Sequence, residues 1–239
     1  MTKPIEKWAI AVTTAPRPTA TLACTLDSLR LAGWREFRVF ADTAGVGAWR
    51  NWINALSTLV REEPDADAFA VVQDDVVVCR GLRRYLEQTL WPAVDNVALC
   101  SPFTPAAYQE RRRGWNVRWP PPNQFLVAAQ FWILPPKSAR AIVRDLGDVQ
   151  ARKGIDGRVG LWAEQTGRSV WYHAPSLAQH IADANSAIGN PPVASLRVAA
   201  DFVGEDAFPP EGFSHRVRDR LRDRPVYHHT CIHIPEFPP

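Results

Sequence analysis

Short apolar runs alternate with longer amphipathic segments through the first hundred residues of the chain. Five runs have the length and apolar character of buried strands, at residues 8–13, 37–41, 68–72, 76–79 and 97–100. Three intervening segments carry large apolar residues at helical spacing, at residues 19–32, 48–61 and 82–90. This alternation predicts an α/β fold with a mainly parallel sheet and helices on both faces.

The second half of the chain has a weaker pattern and many prolines. It predicts a strand within residues 126–134, helices over 138–146 and 155–165, and a strand at 169–173. Beyond residue 185 it predicts mostly loop, with a short helix near 216–222. We therefore expect a single domain over residues 1–190, with a loop-rich extension, 191–239, packed on it.

The composition is that of an ordinary globular protein. Of the 239 residues, 46% are apolar and 22% are charged, which excludes disordered, collagen-like and coiled-coil chains. No apolar stretch approaches the 18 or so residues of a membrane span, and the apolar run near the N-terminus is too short for a signal peptide. We expect a cytoplasmic protein without membrane insertion.

Two adjacent acids interrupt an apolar run, AFAVVQDDVVV. Asp74 and Asp75 follow a predicted strand, at the sheet edge where α/β proteins bind ligands. Because unpaired buried acids are costly, the pair suggests a hard cation such as Mg²⁺ or Mn²⁺, shared with substrate phosphates. The alternative is an acidic turn between two strands of a hairpin.

Two later segments carry further polar candidates. His180 follows an apolar strand and precedes Asn185 and Ser186, which are small enough to hydrogen-bond phosphate or sugar. A histidine ligand suits Mn²⁺ better than Mg²⁺, although most lone histidines are structural. Asp156 opens the predicted helix 155–165 as either an N-cap or a general base, and Glu164 is the competing base.

Taken in order, these motifs resemble the nucleotide-sugar glycosyltransferases of the Rossmann-like GT-A fold. The order is TTAPR at 13–17, then Asp42, Arg50 and Asn51, QDDV at 73–76, Asp156, Trp162, and PSLAQHIADANS at 175–186. The last block is similar to a PSLVQHxG..SS segment of small family-2-like enzymes and of the N-acetylglucosaminyltransferases that branch N-glycans. The similarity covers about residues 8–190.

The resemblance implies roles for individual residues. The tripeptide Gln73-Asp74-Asp75 matches the DxD-type motif, with Gln73 in place of the first acid. It implies that Asp75 and His180 bind the metal and that Asp156 is the catalytic base of an inverting enzyme. Nucleotide-sugar binding is implied for Thr13, Arg17, Asp42, Arg50, Asn51, Gln73, Asp74 and Ser186. The sequence departs from the late block at Ala182 and Ala187.

The implied activity is transfer of a sugar from a nucleotide sugar, with a UDP-sugar as the expected donor and Mn²⁺ or Mg²⁺ as the cofactor. A divalent cation neutralises the leaving diphosphate, and a base deprotonates the acceptor hydroxyl. A retaining enzyme would use the same metal without that base. Residues 1–105 would bind the nucleotide sugar and residues 106–190 the acceptor.

The acceptor is predicted from a segment rich in arginine and tryptophan. Its candidate residues are Arg111, Arg112, Arg113, Trp115 and Trp119. Arginines bind phosphates and aromatic rings stack on bases and sugars, so the acceptor is either a hydroxylated base in DNA or a glycan. The alternative is that the tryptophans cover the core.

Two other classes of protein remain open at this stage. A metal-dependent nucleotidyltransferase would also use paired acids, but residues 13–18 contain no glycine for a phosphate-binding loop. A non-catalytic nucleic-acid-binding protein would use the arginine-rich segments alone.

Overall fold

The structure is a computed structural model, and it describes residues 4–92, 95–110, 112–118, 126, 128–147, 154–181 and 198–210. The strands are β1 (Trp8–Thr14), β2 (Arg38–Ala41), β3 (Ala68–Gln73), β4 (Val76–Val78), β5 (Val97–Ser101), β6 (Gly114–Arg118), β7 (Phe131–Leu134), β8 (Ser169–Ala174) and β9 (Ala178–His180). The helices are α1 (Leu22–Leu31), α2 (Ala48–Glu62), α3 (Leu82–Thr89), α4 (Pro136–Leu146) and α5 (Ile155–Gln165).

Within the described residues, seven strands form the central sheet, in the order β2-β1-β3-β7-β5-β8-β6. Strands β2, β1, β3, β5 and β8 run in one direction, while β7 and β6 run against them. The predicted mainly parallel α/β sheet is therefore confirmed. The carboxyl ends of its five parallel strands define one edge, which we call the upper edge.

Helices cover both faces of this sheet, as predicted. Because successive side chains of a strand point to opposite faces, Ile10 and Val12 of β1 enter one core and Ala11 enters the other. Leu29 of α1 and α3 pack in the first core. The second core holds Trp52 of α2 together with α4 and α5. The sequence pattern predicted these helices because each has one apolar face.

Strand β4 belongs to a second, two-stranded sheet with β9, in which Val76 pairs with His180. The hairpin considered for Asp74 and Asp75 is therefore not formed. Strand β3 is already paired with β1 on one side and β7 on the other, so the buried β4 needs another partner. That partner is β9, for which the sequence pattern predicted no strand.

Strand β6 was also missed by the sequence pattern. Residues 114–118 of the segment expected to bind the acceptor pair antiparallel with β8 at the edge of the sheet. Part of this segment, together with the predicted domain boundary at residue 190 and the predicted helix 216–222, lies outside the described residues. Among the described helices, none has both the length and the apolar character that a membrane crossing requires.

Candidate active site

Four side chains from distant parts of the chain meet at the upper edge. We call Arg17, Asp74, Asp75 and His180 the Arg17 cluster. One guanidinium nitrogen of Arg17 lies 3.1 Å from Oδ2 of Asp75 and the other bonds Oδ1 of Asp74. Nε2 of His180 lies 3.2 Å from the same Oδ2 of Asp75. The exposed fractions of the Arg17 and Asp74 side chains are only 8% and 2%, so these contacts are shielded from water.

The strand register explains how the cluster forms. Thr13 of β1 is the register partner of Gln73 of β3, and the backbone N–H of Asp74 donates to the carbonyl of Thr13 at 3.0 Å. The loop after β1 therefore carries Arg17 over the acids. The pairing of β4 with β9 continues in a bond from Ile181 N–H to the carbonyl of Asp75 at 2.8 Å. This bond fixes His180 beside Asp75.

Two threonines hold the acidic pair in place. The Thr14 hydroxyl donates to Oδ2 of Asp74. The Thr25 hydroxyl of α1 donates to the backbone carbonyl of Asp74 at 2.7 Å and accepts the N–H of Val76 at 3.1 Å. Sequence reasoning missed both roles. The only available signal was the position of Thr14 at the end of a predicted strand.

The two acids differ in their electrostatic environment. Burial raises the pKa of Asp74 above its ordinary value, although Thr14 and Arg17 favour the ionised form. Burial acts in the same direction on Asp75, but the hydrogen bond and charge of His180 and the charge of Arg17 outweigh it and hold the pKa low. Asp75 is therefore the more firmly ionised carboxylate of the pair.

Asp75 and His180 have the chemistry of two metal ligands. Oδ1 of Asp75 is buried and has no hydrogen-bond partner among the described residues. Buried carboxylate oxygens normally have a partner, and a cation would supply one. The described residues contain no group of three or more acidic, histidine or cysteine side chains suited to a metal. The pair thus fits a cation whose remaining ligands come from substrate phosphate or water.

A cleft of about 640 Å³ lies between the end of β2 and helix α2. This volume is within the usual range for small-molecule sites, roughly 300–1,000 Å³. Three residues predicted to bind the nucleotide sugar line it: Asp42, Arg50 and Asn51. The guanidinium of Arg50 reaches across the cleft to the carbonyl of Gly147, at 3.3 Å.

Asp42 and Asn51 also form hydrogen bonds that stabilise the backbone around this cleft. The carboxylate of Asp42 accepts the N–H groups of Val46 and Gly47, each at 2.7 Å. Gly47 adopts a φ of 91°, which favours glycine, so Asp42 stabilises a tight turn into α2. The Asn51 amide donates to the carbonyls of Thr14 and Phe40.

Thr14 links the cleft to the Arg17 cluster. Its carbonyl accepts the amide of Asn51 and the backbone N–H of Asp42, at 3.2 and 2.8 Å, while its hydroxyl bonds Asp74. The Thr13 hydroxyl, by contrast, donates to the carbonyl of Val72 inside the sheet. Thr13 therefore stabilises the backbone of the two strands beside the site.

Asp156 lies on the same upper edge. Because β7 runs against β1 and β3, its first residues lie beside the last residue of β3, and Gln73 N–H donates to the carbonyl of Gln130 at 2.8 Å. Just before β7, the backbone of Ala128 hydrogen-bonds Asp156. Oδ1 of Asp156 also accepts the N–H of Gly157 at 2.9 Å.

Burial raises the pKa of Asp156 above its ordinary value, although these backbone hydrogen bonds act against the rise. A raised pKa suits a carboxylate that must take up a proton during catalysis. Glu164, the competing base, lies near the far end of α5. The fold therefore favours Asp156 by its position at the upper edge.

The predicted acceptor residues are spread over different environments. Arg111, Trp119 and Ser186, the last predicted to bind the nucleotide sugar, lie outside the described residues. Arg112 and Arg113 are exposed just before β6. Trp115 is buried with its ring edge-on to His173, as in the alternative that the tryptophans cover the core. Beyond it, the guanidinium of Arg118 lies 4.4 Å from the ring centre of Tyr108.

A buried polar network that the sequence did not predict lies behind Trp115. Nε2 of His173 is 2.7 Å from the Tyr85 hydroxyl, and Nδ1 is 2.7 Å from the carbonyl of Pro175. The carbonyl can only accept, so Nδ1 carries the proton and Nε2 accepts from Tyr85. Burial lowers the pKa of His173 to about 4, so this histidine is neutral at pH 7.

Comparison with known proteins finds no matching family model and no matching curated sequence. Among solved structures, one similar chain is a glycosyltransferase involved in glycosylation of the major capsid of PBCV-1. It is 10% identical, with 70% of this chain and 83% of that chain covered and a TM-score of 0.43.

Two further similar structures are A197 from STIV and a mutant of Drosophila β-1,4-galactosyltransferase 7 in complex with manganese, UDP-Gal and xylobiose. A197 is 12% identical, with 85% of this chain and 100% of that chain covered and a TM-score of 0.46. The galactosyltransferase is 10% identical, with 72% and 71% covered and a TM-score of 0.38. At these TM-scores the similarity assigns no role to any residue.

Proposed function

We propose that the protein is a glycosyltransferase that moves a sugar from a nucleotide sugar to a hydroxyl acceptor. The observation that carries this proposal is the Arg17 cluster. Its four members come from the three motifs that resemble the GT-A family, and they meet at the carboxyl edge of the sheet. A chance resemblance of short motifs would not require their side chains to touch.

The donor is a UDP-sugar, bound across the upper edge between the cleft and the Arg17 cluster. Asp42, Arg50 and Asn51 share the cleft, and Thr14 joins it to Asp74. Asp42 has carboxylate lone pairs to spare beyond the two backbone bonds, so it can also accept a ribose or base donor. Arg50 and Arg17 supply positive charge for the phosphates.

Asp75 and His180 are the residues that would hold Mn²⁺ or Mg²⁺. When bound, such a cation neutralises the charge that develops on the leaving diphosphate. An aspartate is ordinarily ionised at neutral pH, as a metal ligand must be. Asp74, Thr14 and Thr25 orient the backbone and side chains around it.

Asp156 is the general base of an inverting transfer. The acceptor oxygen forms a bond to the anomeric carbon while the bond from that carbon to the phosphate oxygen breaks. The acceptor proton passes to the carboxylate of Asp156, whose raised pKa makes it a better proton acceptor than an exposed aspartate. The electron pair of the broken bond leaves with the nucleoside diphosphate.

The acceptor class is a hydroxylated base in DNA, with a glycan as the alternative for the same chemistry. Arg112 and Arg113 are exposed at the start of β6, and both carry charge that suits a phosphate backbone.

A panel of melting temperatures tests the donor site. UDP, GDP, CDP and ADP are each added with Mn²⁺ or with a chelator to wild type, Asp75→Asn and the exposed control Asp206→Asn. A ligand at 100 times its Kd adds about 2.7 kcal/mol, which raises Tm by several degrees. We expect UDP to stabilise wild type and Asp206→Asn only with Mn²⁺, and not to stabilise Asp75→Asn.

Two results would contradict the proposal. Stabilisation by DNA but by no nucleotide would indicate a nucleic-acid-binding protein. Stabilisation by a nucleotide that persists with the chelator and in Asp75→Asn would place the nucleotide elsewhere on the chain.

A further inference from the structure

Asp74 and Asp75 share a single guanidinium, that of Arg17. Its two terminal nitrogens each bind a different carboxylate, and the three side chains are at most 8% exposed. In such a poorly solvated place two ionised acids repel each other strongly unless a positive charge lies between them. Arg17 supplies that charge in the observed arrangement.

A cation held by Asp75 and His180 would lie close to the guanidinium of Arg17. Oδ2 of Asp75 already lies 3.1 Å from Arg17 and 3.2 Å from His180. A divalent ion on either oxygen of this carboxylate would lie close to the guanidinium, and the two positive charges would repel each other in surroundings of low dielectric constant. Arg17 and the cation therefore compete for the negative charge of one carboxylate.

Two buried polar atoms of Arg17 and Asp75 remain without a partner among the described residues in this arrangement. Nε of Arg17 and Oδ1 of Asp75 are both buried and have no hydrogen-bond partner within the described part of the chain. A buried donor or acceptor without a partner is costly, and native proteins avoid it. An anion would satisfy the Arg17 donor, and a cation would satisfy the Asp75 oxygen.

We propose that Arg17 is the resident counter-ion of Asp74 and Asp75, and that it excludes a divalent cation until a nucleoside diphosphate draws it away. This inference rests on the proposed function, because it takes Asp75 and His180 as the metal ligands. A guanidinium binds a phosphate group through two parallel hydrogen bonds, so the diphosphate offers Arg17 an equivalent partner. The cation and the diphosphate then bind cooperatively, whereas the cation alone binds weakly.

The test is Mn²⁺ binding without nucleotide, measured by isothermal titration calorimetry. The proteins are wild type, Arg17→Met, Arg17→Lys and Arg80→Met. Arg80 also pairs with an acid, Asp206, but both side chains are exposed, so its loss is a matched control. We expect Arg17→Met to bind Mn²⁺ at least about tenfold more tightly than wild type, because it leaves an uncompensated buried charge for the cation to pair with. Arg17→Lys and Arg80→Met stay as weak as wild type.

A second measurement uses the wild-type protein and so does not depend on a variant that folds. Phenylglyoxal modifies accessible arginines, and mass spectrometry locates the product. We expect saturating Mn²⁺ to increase modification at Arg17 and to leave Arg80 unchanged. UDP added with Mn²⁺ should protect Arg17 again.

The outcomes separate this inference from the proposed function. Equal Mn²⁺ affinity in wild type and Arg17→Met, with no change in Arg17 modification, would overturn the inference and leave the metal site standing. Tighter binding by Arg17→Met that Asp75→Asn does not abolish in the same background would also overturn it, because the metal would lie elsewhere. Absence of Mn²⁺ binding in every protein without nucleotide would overturn the inference, and absence of binding in the presence of UDP as well would overturn the proposed metal site.

Discussion

Nε2 of His180 lies 3.2 Å from Oδ2 of Asp75, and the pairing of two three-residue strands brings them together. Strand β4 follows Asp75 directly, and β9 ends at His180. The antiparallel register of these strands sets Val76 opposite His180. A small sheet outside the main one thus completes the Arg17 cluster.

Loss of Arg17 is expected to destabilise the protein. Arg17→Met leaves Asp74 and Asp75 buried without their counter-ion, and removing one partner of a buried ion pair typically costs about 3–5 kcal/mol. Urea unfolding at pH 7 measures the loss. The control Arg80→Met removes an exposed pair and should cost less than about 1 kcal/mol. Equal effects of the two changes would show that Arg17 has no special role in stability.

Asp156→Asn is expected to lower kcat by roughly 10²–10⁴-fold, the usual contribution of a general base. The Kd for UDP should stay the same, because Asp156 acts on the acceptor. Glu164→Gln makes the same carboxylate-to-amide change on the same helix and serves as the control. If Glu164→Gln abolished turnover and Asp156→Asn did not, the general base would be Glu164 and not Asp156.

The same residue should shape the pH dependence of transfer. The base works in its ionised form, so the rate rises as pH increases through the pKa of Asp156. Burial raises that pKa above the ordinary value of 3.8, so the acidic limb should lie at a higher pH than an exposed aspartate would give. Single-turnover rates between pH 4 and 8 measure it. A rate independent of pH over this range would contradict an aspartate base with a raised pKa.

His173 should make the fold sensitive to acid. Its pKa is about 4 in the folded protein against 6.5 ordinarily, so the unfolded chain binds the proton first as pH falls. The free energy of unfolding therefore has its full value above pH 6.5, where His173 is neutral in both states. It falls by about 3 kcal/mol in total between pH 6.5 and 4.

Urea unfolding of wild type and His173→Gln at several pH values tests this prediction. The difference between their free energies of unfolding should shrink as pH falls from 7 to 4, since only wild type carries this proton linkage. A difference that stays constant with pH would mean that His173 titrates alike in the folded and unfolded states.

Asp42 should contribute to stability independently of any ligand. Its carboxylate binds the N–H groups of Val46 and Gly47, and hydrogen bonds to a charged group contribute about 1.5–3 kcal/mol. Asp42→Ala should therefore lower the free energy of unfolding by roughly 2 kcal/mol. Asp206→Ala, at an exposed acid, should change it by less than 0.5 kcal/mol or so. A neutral Asp42→Ala would show that the turn into α2 holds without it.

The sequence predicted the large elements because their patterns are local. Strand β3 is a continuous apolar run and α2 has one apolar face, so each can be identified without its neighbours. Strand β9 could not be identified in this way, since three residues become a strand only through pairing with the distant β4. Strand β6 carries a glycine, an asparagine and an arginine among its five residues and lacks the continuous apolar character of the buried strands.

The candidate site was predicted in part for a similar reason. Asp75 and His180 could be proposed as neighbours because their motifs occur in a family-like order. The contact of Arg17 with both acids depends on the path of the loop after β1, which residue types do not specify. In the sequence, nothing distinguishes Thr25 from the other polar residues of α1. Its hydroxyl reaches the carbonyl of Asp74 only because that helix packs against β4.

The most direct test of the central claim is release of UDP from UDP-sugars in the presence of Mn²⁺. The assay compares wild type, Asp75→Asn and the control Asp206→Asn, with hydroxymethylated DNA or simple sugars as acceptors. We expect acceptor-dependent UDP release by wild type and Asp206→Asn, and a rate lower by about a hundredfold or more in Asp75→Asn. Release that survives unchanged in Asp75→Asn, or no release by wild type from any sugar nucleotide, would contradict it.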